Sequence, residues 1–204
     1  MASDSPDRIP LFPLSRGVFP DGMLQLNIFE VRYLDLIRRC HREGTPFGVA
    51  WLAEGREVQV PGEIPRLHPW GCQVLVRELE ALQPALFQVR CQGTTRFALD
   101  AHEAGPLGVW QGRVRHFPAD PEVPIPDDLK HLADPLGRLI ADASWRGTTD
   151  RLPLYQPFRL DDCGWVANRL AELIPLDAED AQRLLGEGDP LARLRLIAEM
   201  LGDR

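Results

Sequence analysis

Ser144 and Lys130 supply the residue types of a serine–lysine pair, in which a neutral amine would take the proton of an attacking hydroxyl. Their spacing defeats that chemistry. They lie fourteen residues apart on one stretch of helical periodicity, roughly 21 Å along a straight helix. The other serines, Ser3, Ser5 and Ser15, sit in no G-x-S-x-G elbow. The five histidines, His41, His68, His102, His116 and His131, are scattered, with no H-E-x-x-H among them. Cys40, Cys72, Cys91 and Cys163 contain no C-x-x-C pair, so the usual zinc-ribbon spacing is missing. There is no G-x-x-x-x-G-K-[ST] loop, and the acidic residues of Gly186-Glu187-Gly188-Asp189 would repel a phosphate. Asp127-Asp128 and Asp161-Asp162 read as helix starts, where negative charge meets the helix dipole. The expectation is a protein that is not an enzyme, with no catalytic residues, cofactor or metal.

Binding is the remaining chemistry, and aromatic residues are its usual carriers because they bury large areas at modest entropy cost. Trp70, Trp110, Trp145, Trp165, Tyr155 and Phe158 fall in or near expected loops and helix ends. Prolines keep Leu152-Pro153-Leu154-Tyr155-Gln156-Pro157-Phe158 extended. Leu154, Tyr155 and Phe158 are therefore candidate peptide-binding residues, flooring an apolar groove between the two halves of the chain. The competing reading is that they fasten this loop to a core.

The elements that would position such a surface fall into two textures. QVLVREL (73–79), LFQVRC (86–91) and VWQGRVRHF (109–117) alternate apolar and polar side chains, as half-buried strands do. GVAWL (48–52) reads as a buried strand, and Gly93, Pro69 and Pro61-Gly62 punctuate this half. One helix interrupts it: Phe29, Tyr33, Leu36, Ile37 and Cys40 share a face, which predicts a helix near 29–43 stopped by Gly44. A proline-rich stretch, FPADPEVPIPDD (117–128), follows. Beyond it the period becomes 3.6. Leu129, Leu132, Leu136, Leu139 and Ile140 form one apolar stripe, divided by Pro135, and Trp165, Val166, Leu170, Leu173 and Ile174 form another. Asp177 and Asp189-Pro190 have the residue types that start two further helices.

The net charge is −7, and 22 of the 23 basic residues are arginine, Lys130 being the exception. That balance argues against a nucleic-acid partner, which needs a clustered positive surface. No apolar run approaches the length of a membrane helix, and the polar start MASDSPDRIP is no secretory signal, so a cytoplasmic protein is expected. Cys40, Cys72 and Cys91 lie among apolar neighbours and read as small core residues.

Three segments stand out, in this order: IPLFPLSRGVFPDGMLQLNIFEVRYLDLIRRC (9–40), LFQVRCQGTTRFALD (86–100) and WVANRLAELIPLDAEDAQRLLGEGDPLARLRLIAEML (165–201). Together they resemble the N-terminal substrate-binding domain of Lon proteases, a domain also found alone in small bacterial proteins and in cereblon. The resemblance implies an α+β chain: a PUA-like β pseudo-barrel with one inserted helix, followed by a C-terminal helical bundle. It divides the sequence into a flexible N-terminus at 1–7, the β-rich domain at 8–118, a proline-rich linker at 119–126 and a helical subdomain at 127–204. Within the motif, Gly17 and Gly22 suit turns, Leu24 and Leu26 a strand, and Phe29 and Tyr33 the helix core. The implied function is non-catalytic recognition of unfolded or extended polypeptides, or of a partner protein, as an adaptor or chaperone-like module. Two alternatives stay open. An RNA-binding barrel would need Arg77, Arg90, Arg96, Arg113 and Arg115 to line up, and an unrecognised hydrolase would need a nucleophile–base pair in a cleft.

Overall fold

The structure, a computed structural model, describes residues 7–58, 62–149 and 152–202. The N-terminus expected to be flexible lies outside them, apart from Asp7, which opens the first strand. The fold is α+β and divides into two compact units, Met1–Pro118 and Ala119–Arg204.

The first unit is built from β1 (Asp7–Leu14), β2 (Met23–Ile28), β3 (Phe47–Glu54), β4 (Arg66–Gln83), β5 (Leu86–Ala104) and β6 (Trp110–His116), with α1 (Val31–Glu43) between β2 and β3. The strand order is β2-β5-β4-β3-β1-β6, and β6 pairs again with β5. Five strands, β1, β3, β4, β5 and β6, therefore close into a ring, and β2 hangs on β5 outside it. β1 and β3 run parallel. Parallel neighbours need a crossover, and β2 and α1 are the chain that makes it. Prolines enter β1 without breaking the ring. Residues 7–11 pair with β6 and residues 11–14 with β3, so Pro10 and Pro13 each have a strand on one side only.

Two punctuation marks of the sequence lie inside strands. Between the pairs Ala50↔Gly71 and Leu52↔Leu67, one residue of β3 faces three of β4, and Pro69 sits in this bulge where no ladder bond is required of it. β5 runs through Gly93. A Cβ there would stand 2.0 Å from the Phe19 carbonyl oxygen, so only glycine allows the 18–20 loop to lie against the strand. Gly17, expected in a turn, serves as space instead: a Cβ would fall 1.3 Å from Trp51 Nε1, and the indole packs where that side chain would be.

The helix of the first unit also differs from its expected span. The apolar stripe puts Tyr33, Leu36, Ile37 and Cys40 into the core, and the chain leaves the helix at Gly44. Phe29, read as part of that stripe, lies before the first helical residue, Val31, and is 56% exposed. Periodicity alone cannot locate a helix start. Glu30 has extended backbone angles, and residue 29 continues from the strand rather than entering the turn.

The second unit holds α2 (Asp134–Trp145), α3 (Cys163–Leu173), α4 (Ala178–Gly186) and α5 (Pro190–Met200), with a 3-10 helix at Asp127–Ala133. The stripe from Leu129 to Ile140 is divided at Asp134-Pro135, as the proline requires, and its Leu129, Leu132 and Leu136 are buried. Asp162, Asp177 and Asp189 cap α3, α4 and α5, accepting from Trp165 N–H at 2.7 Å, Asp180 N–H at 2.8 Å and Leu191 N–H at 2.9 Å. The stretch read as a linker, 119–126, is tied into this unit. Cys163 N–H donates to Val123 O (2.8 Å) and Ile125 N–H to Asp161 O (3.0 Å).

A buried charge organises these pieces. Arg193 is fully buried on α5. Its guanidinium donates to Asp120 (2.6 and 3.3 Å), to Asn168 Oδ1 (3.1 Å) and to the Glu187 carbonyl (2.6 Å). Removing one partner of such a pair strands the other charge. The variant Asp120→Ala is therefore expected to lower unfolding stability by about 3 kcal/mol, read from a urea melt. Adding Arg193→Met should recover much of that loss, because the space is refilled without a charge.

The strand unit should be sensitive to alkali. Burial pushes the Cys91 thiol up to about 12 from an ordinary 9.0, with nearby Cys40 adding to the effect. Burial likewise raises Cys40 and the Tyr33 phenol. Each group keeps its proton in the folded protein and loses it sooner in the unfolded chain. Their contribution is thus complete below about pH 9 and declines as pH rises towards about 12. A urea midpoint measured at about pH 10 should fall below that at about pH 7; equal midpoints would contradict this.

Candidate functional site

The antiparallel ladder between β2 and β5 decides what β2 offers to solvent. Gly93 N–H donates to Gly22 O at 2.9 Å, and the register continues as Leu24↔Cys91, Leu26↔Val89 and Ile28↔Phe87. Hydrogen-bonded positions alternate in such a ladder. Residues 24, 26 and 28 therefore bond to β5, while Met23, Gln25 and Asn27 turn their N–H and C=O groups the other way. Among the described residues no strand pairs along that outer side of β2. Gln25 and Asn27 are exposed, and Leu24 and Ile28 are buried.

Beside this edge lies a cavity of about 170 Å³, walled by Phe12 and Leu14 of β1, by residues 25–28 of β2, by Phe29 and Glu30, and by Glu57 and Val58. Phe12 is held from behind by Tyr33, stacked with ring centres 4.0 Å apart. The Arg32 guanidinium lies 4.4 Å from the centre of the Tyr33 ring. It also pairs with Glu30 at 3.0 Å and donates to the Gly108 carbonyl at 2.9 Å. These bonds bring the turn between β5 and β6 to the start of α1, and Leu107 on that turn is 80% exposed. Ser15 fixes the opposite wall by donating to Glu57 from its N–H (2.7 Å) and from its hydroxyl. Phe29 and Val58, 56% and 51% exposed, leave apolar surface at the mouth.

A larger crease, about 320 Å³, is lined by Arg8, Ala101, His102, Glu103, Gln111 and Arg113. Three of its polar side chains already have partners within the unit. Arg8 pairs with Glu103, and His102 Nε2 donates to the Pro65 carbonyl at 2.8 Å. Its lining holds no large exposed apolar side chain, so the smaller cavity is the better candidate for a binding site.

The residues singled out from the sequence lie in the second unit. Leu154 is buried with Leu152 and Ala143, and Phe158 packs against that cluster, its ring 6.3 Å from that of Trp165. Tyr155 is half-buried. Lys130 pairs with Asp127 at 2.6 Å in the 3-10 helix, whereas Ser144 belongs to α2. Among the described residues no three His, Cys, Asp or Glu side chains converge to hold a metal. Cys40, Cys72, Cys91 and Cys163 are all free and buried. Among the described residues no helix is long and apolar enough to cross a membrane.

Sequence reasoning missed Phe29, Val58 and the edge of β2. The only signal for Phe29 was its apolar character, which the helix stripe absorbed. Val58 follows a short charged stretch with no periodicity of its own.

The first unit thus combines a mixed sheet and one helix with an apolar cavity beside a strand edge that, among the described residues, is unpaired. The chain belongs to the family of the ATP-dependent protease La (LON) substrate-binding domain, whose model matches residues 8–203. It is similar to the Lon N-terminal domain protein from Xanthomonas campestris, with 29% identity, 96% of this chain and 98% of that chain covered and a TM-score of 0.71. It shares its fold with the N-terminal domain of Mycobacterium avium complex Lon protease, with 16% identity, 97% and 100% covered and a TM-score of 0.60. No curated protein matches the chain. No protease or ATPase domain is found in it; the family model accounts for nearly its whole length.

Phe158→Ser tests whether the 152–158 segment is fastened to the core. The expected result is a loss of about 2 kcal/mol of unfolding stability, read from thermal or urea melts. Unchanged melting, with weaker binding to an unfolded protein, would assign the segment to recognition instead.

Proposed function

We propose that this chain is a non-catalytic module that recognises unfolded or extended polypeptide, as a cytoplasmic adaptor or chaperone-like holder. Membership of a substrate-binding domain family supports the recognition role. The observation that carries the reading further is the apolar cavity beside β2, with Phe29 exposed at its mouth. Large exposed apolar side chains around a cavity mark interaction sites on soluble proteins. The same reading takes the closed strand ring as PUA-like and the helices after residue 126 as the bundle that follows it. The 152–158 segment, with Leu154, Tyr155 and Phe158, remains a second proposed contact for the polypeptide.

The alternatives draw less support. An RNA-binding strip needs free arginines in line. Arg90 instead pairs with Glu78 at 3.2 Å and Arg115 with Asp100 at 2.9 Å. Arg96 is buried, its guanidinium 4.8 Å from the centre of the Phe117 ring. For a hydrolase, Ser15 is hydrogen-bonded to a carboxylate, Glu57, and Lys130 is engaged by Asp127.

The test is binding of a fluorescently labelled, reduced and carboxymethylated α-lactalbumin, followed by anisotropy. Wild type should bind it, and Phe29→Ser should bind roughly ten-fold more weakly with melting little changed, since the side chain is more than half exposed. Equal binding by wild type and variant would remove the cavity from the reading.

A further inference from the structure

An edge strand with an unused row of N–H and C=O groups asks for a particular ligand. Only another extended backbone can satisfy those groups at strand spacing. On β2 the row consists of Met23, Gln25 and Asn27, fixed by the phase of the ladder to β5 and, among the described residues, facing no other strand. The cavity walled by Phe12, Leu26 and Phe29 lies on the same strand. It is well suited to one apolar side chain from a chain laid along that edge.

The charge at the mouth adds a second requirement. Two carboxylates line the cavity, Glu30 and Glu57, and among the described residues no cation does. Arg32 neutralises Glu30 at 3.0 Å. Glu57 accepts from Ser15, a neutral donor, which holds the carboxylate in place without cancelling its charge. An extended chain shows every second side chain on one face. A cation two residues from the apolar anchor would share its face and meet Glu57.

We propose that an extended polypeptide segment adds as a further strand along the outer edge of β2. One apolar side chain enters the Phe12–Leu26–Phe29 cavity, and a lysine or arginine two residues away sits against Glu57. This rests on the polypeptide-recognition reading and names its mode and its sequence preference.

Short peptides test it directly. One contains Leu-Ser-Arg flanked by serine and glycine, a second replaces the arginine with glutamate, and a third is the first peptide N-methylated on its backbone around the leucine. Wild type should prefer the arginine peptide over the glutamate peptide by roughly five-fold and should lose the N-methylated one. Glu57→Gln keeps an acceptor for Ser15 and should abolish the preference while still binding. Gln25→Pro removes an outward N–H that the ladder does not use and should weaken every peptide; Phe29→Ser should do the same.

The N-methylated peptide needs no variant, so the mode is tested even if a substitution disturbs folding. If wild type holds carboxymethylated α-lactalbumin yet is indifferent to N-methylation and to Gln25→Pro, the strand-addition mode is overturned and polypeptide recognition stands. If wild type binds neither the unfolded protein nor the peptides, both fall. A concentration-dependent dimer that Gln25→Pro dissociates would assign the edge to a second copy of this chain and overturn the proposal.

Discussion

The exchange of partners along β5 is the constraint on which the first unit depends. Its C-terminal half pairs with β6 and closes the ring, while its N-terminal half pairs with β2 outside it. The two halves meet near Gly93, where the absent side chain lets the Phe19 carbonyl approach and Gly22 pair across. Because β5 lends its flank to β2 only up to this point, β2 gains one neighbour and, among the described residues, keeps an open side. A side chain at residue 93 would push the 18–20 loop away, and the entry into β2 with it. The crossover demanded by the parallel β1–β3 pair then carries the chain from β2 into α1. That connection is where Phe29 and Glu30 come to wall the cavity.

An open edge beside apolar surface is a hazard as well as a site, since such an edge templates pairing between copies. Several features blunt it. β2 is six residues long, and its outward side chains Gln25 and Asn27 are polar. Glu57 adds negative charge at the cavity mouth, and the chain carries a net charge of −7. Like charge on every copy disfavours self-association through this edge while leaving it attractive to a basic, extended segment.

The second unit is held by a different device. Few of its residues are in strands, so its connections must be fixed by side chains and caps. Arg193 joins α5, α3, the connection before α5 and the proline-rich stretch in one set of hydrogen bonds. Each partner arises from a different part of the chain, so the guanidinium sets their relative positions in a way that an apolar side chain, lacking direction, would not. The aspartate caps of α3, α4 and α5 fix where these helices begin.

Much of this was legible in the residues. The apolar stripe of α1 from Tyr33 to Cys40, the division at Pro135, the caps at Asp177 and Asp189 and the strand alternation of 73–91 are local signals, and local signals survive folding. The family motifs were legible for the same reason: they record fold determinants close together in sequence. Phe29 was not legible. It lies in phase with the α1 stripe, and only the extended backbone at Glu30 removes it from the helix. Pro69 and Gly93 look like strand ends in a linear reading, because a bulge and a close loop approach depend on residues far away in the chain. The cavity itself joins residues 12–14, 25–30 and 57–58. Their proximity follows from ring closure, and the open edge of β2 follows from how many partners β5 can hold. Pairing of that range is a property of the assembled sheet, and no periodicity within one segment encodes it.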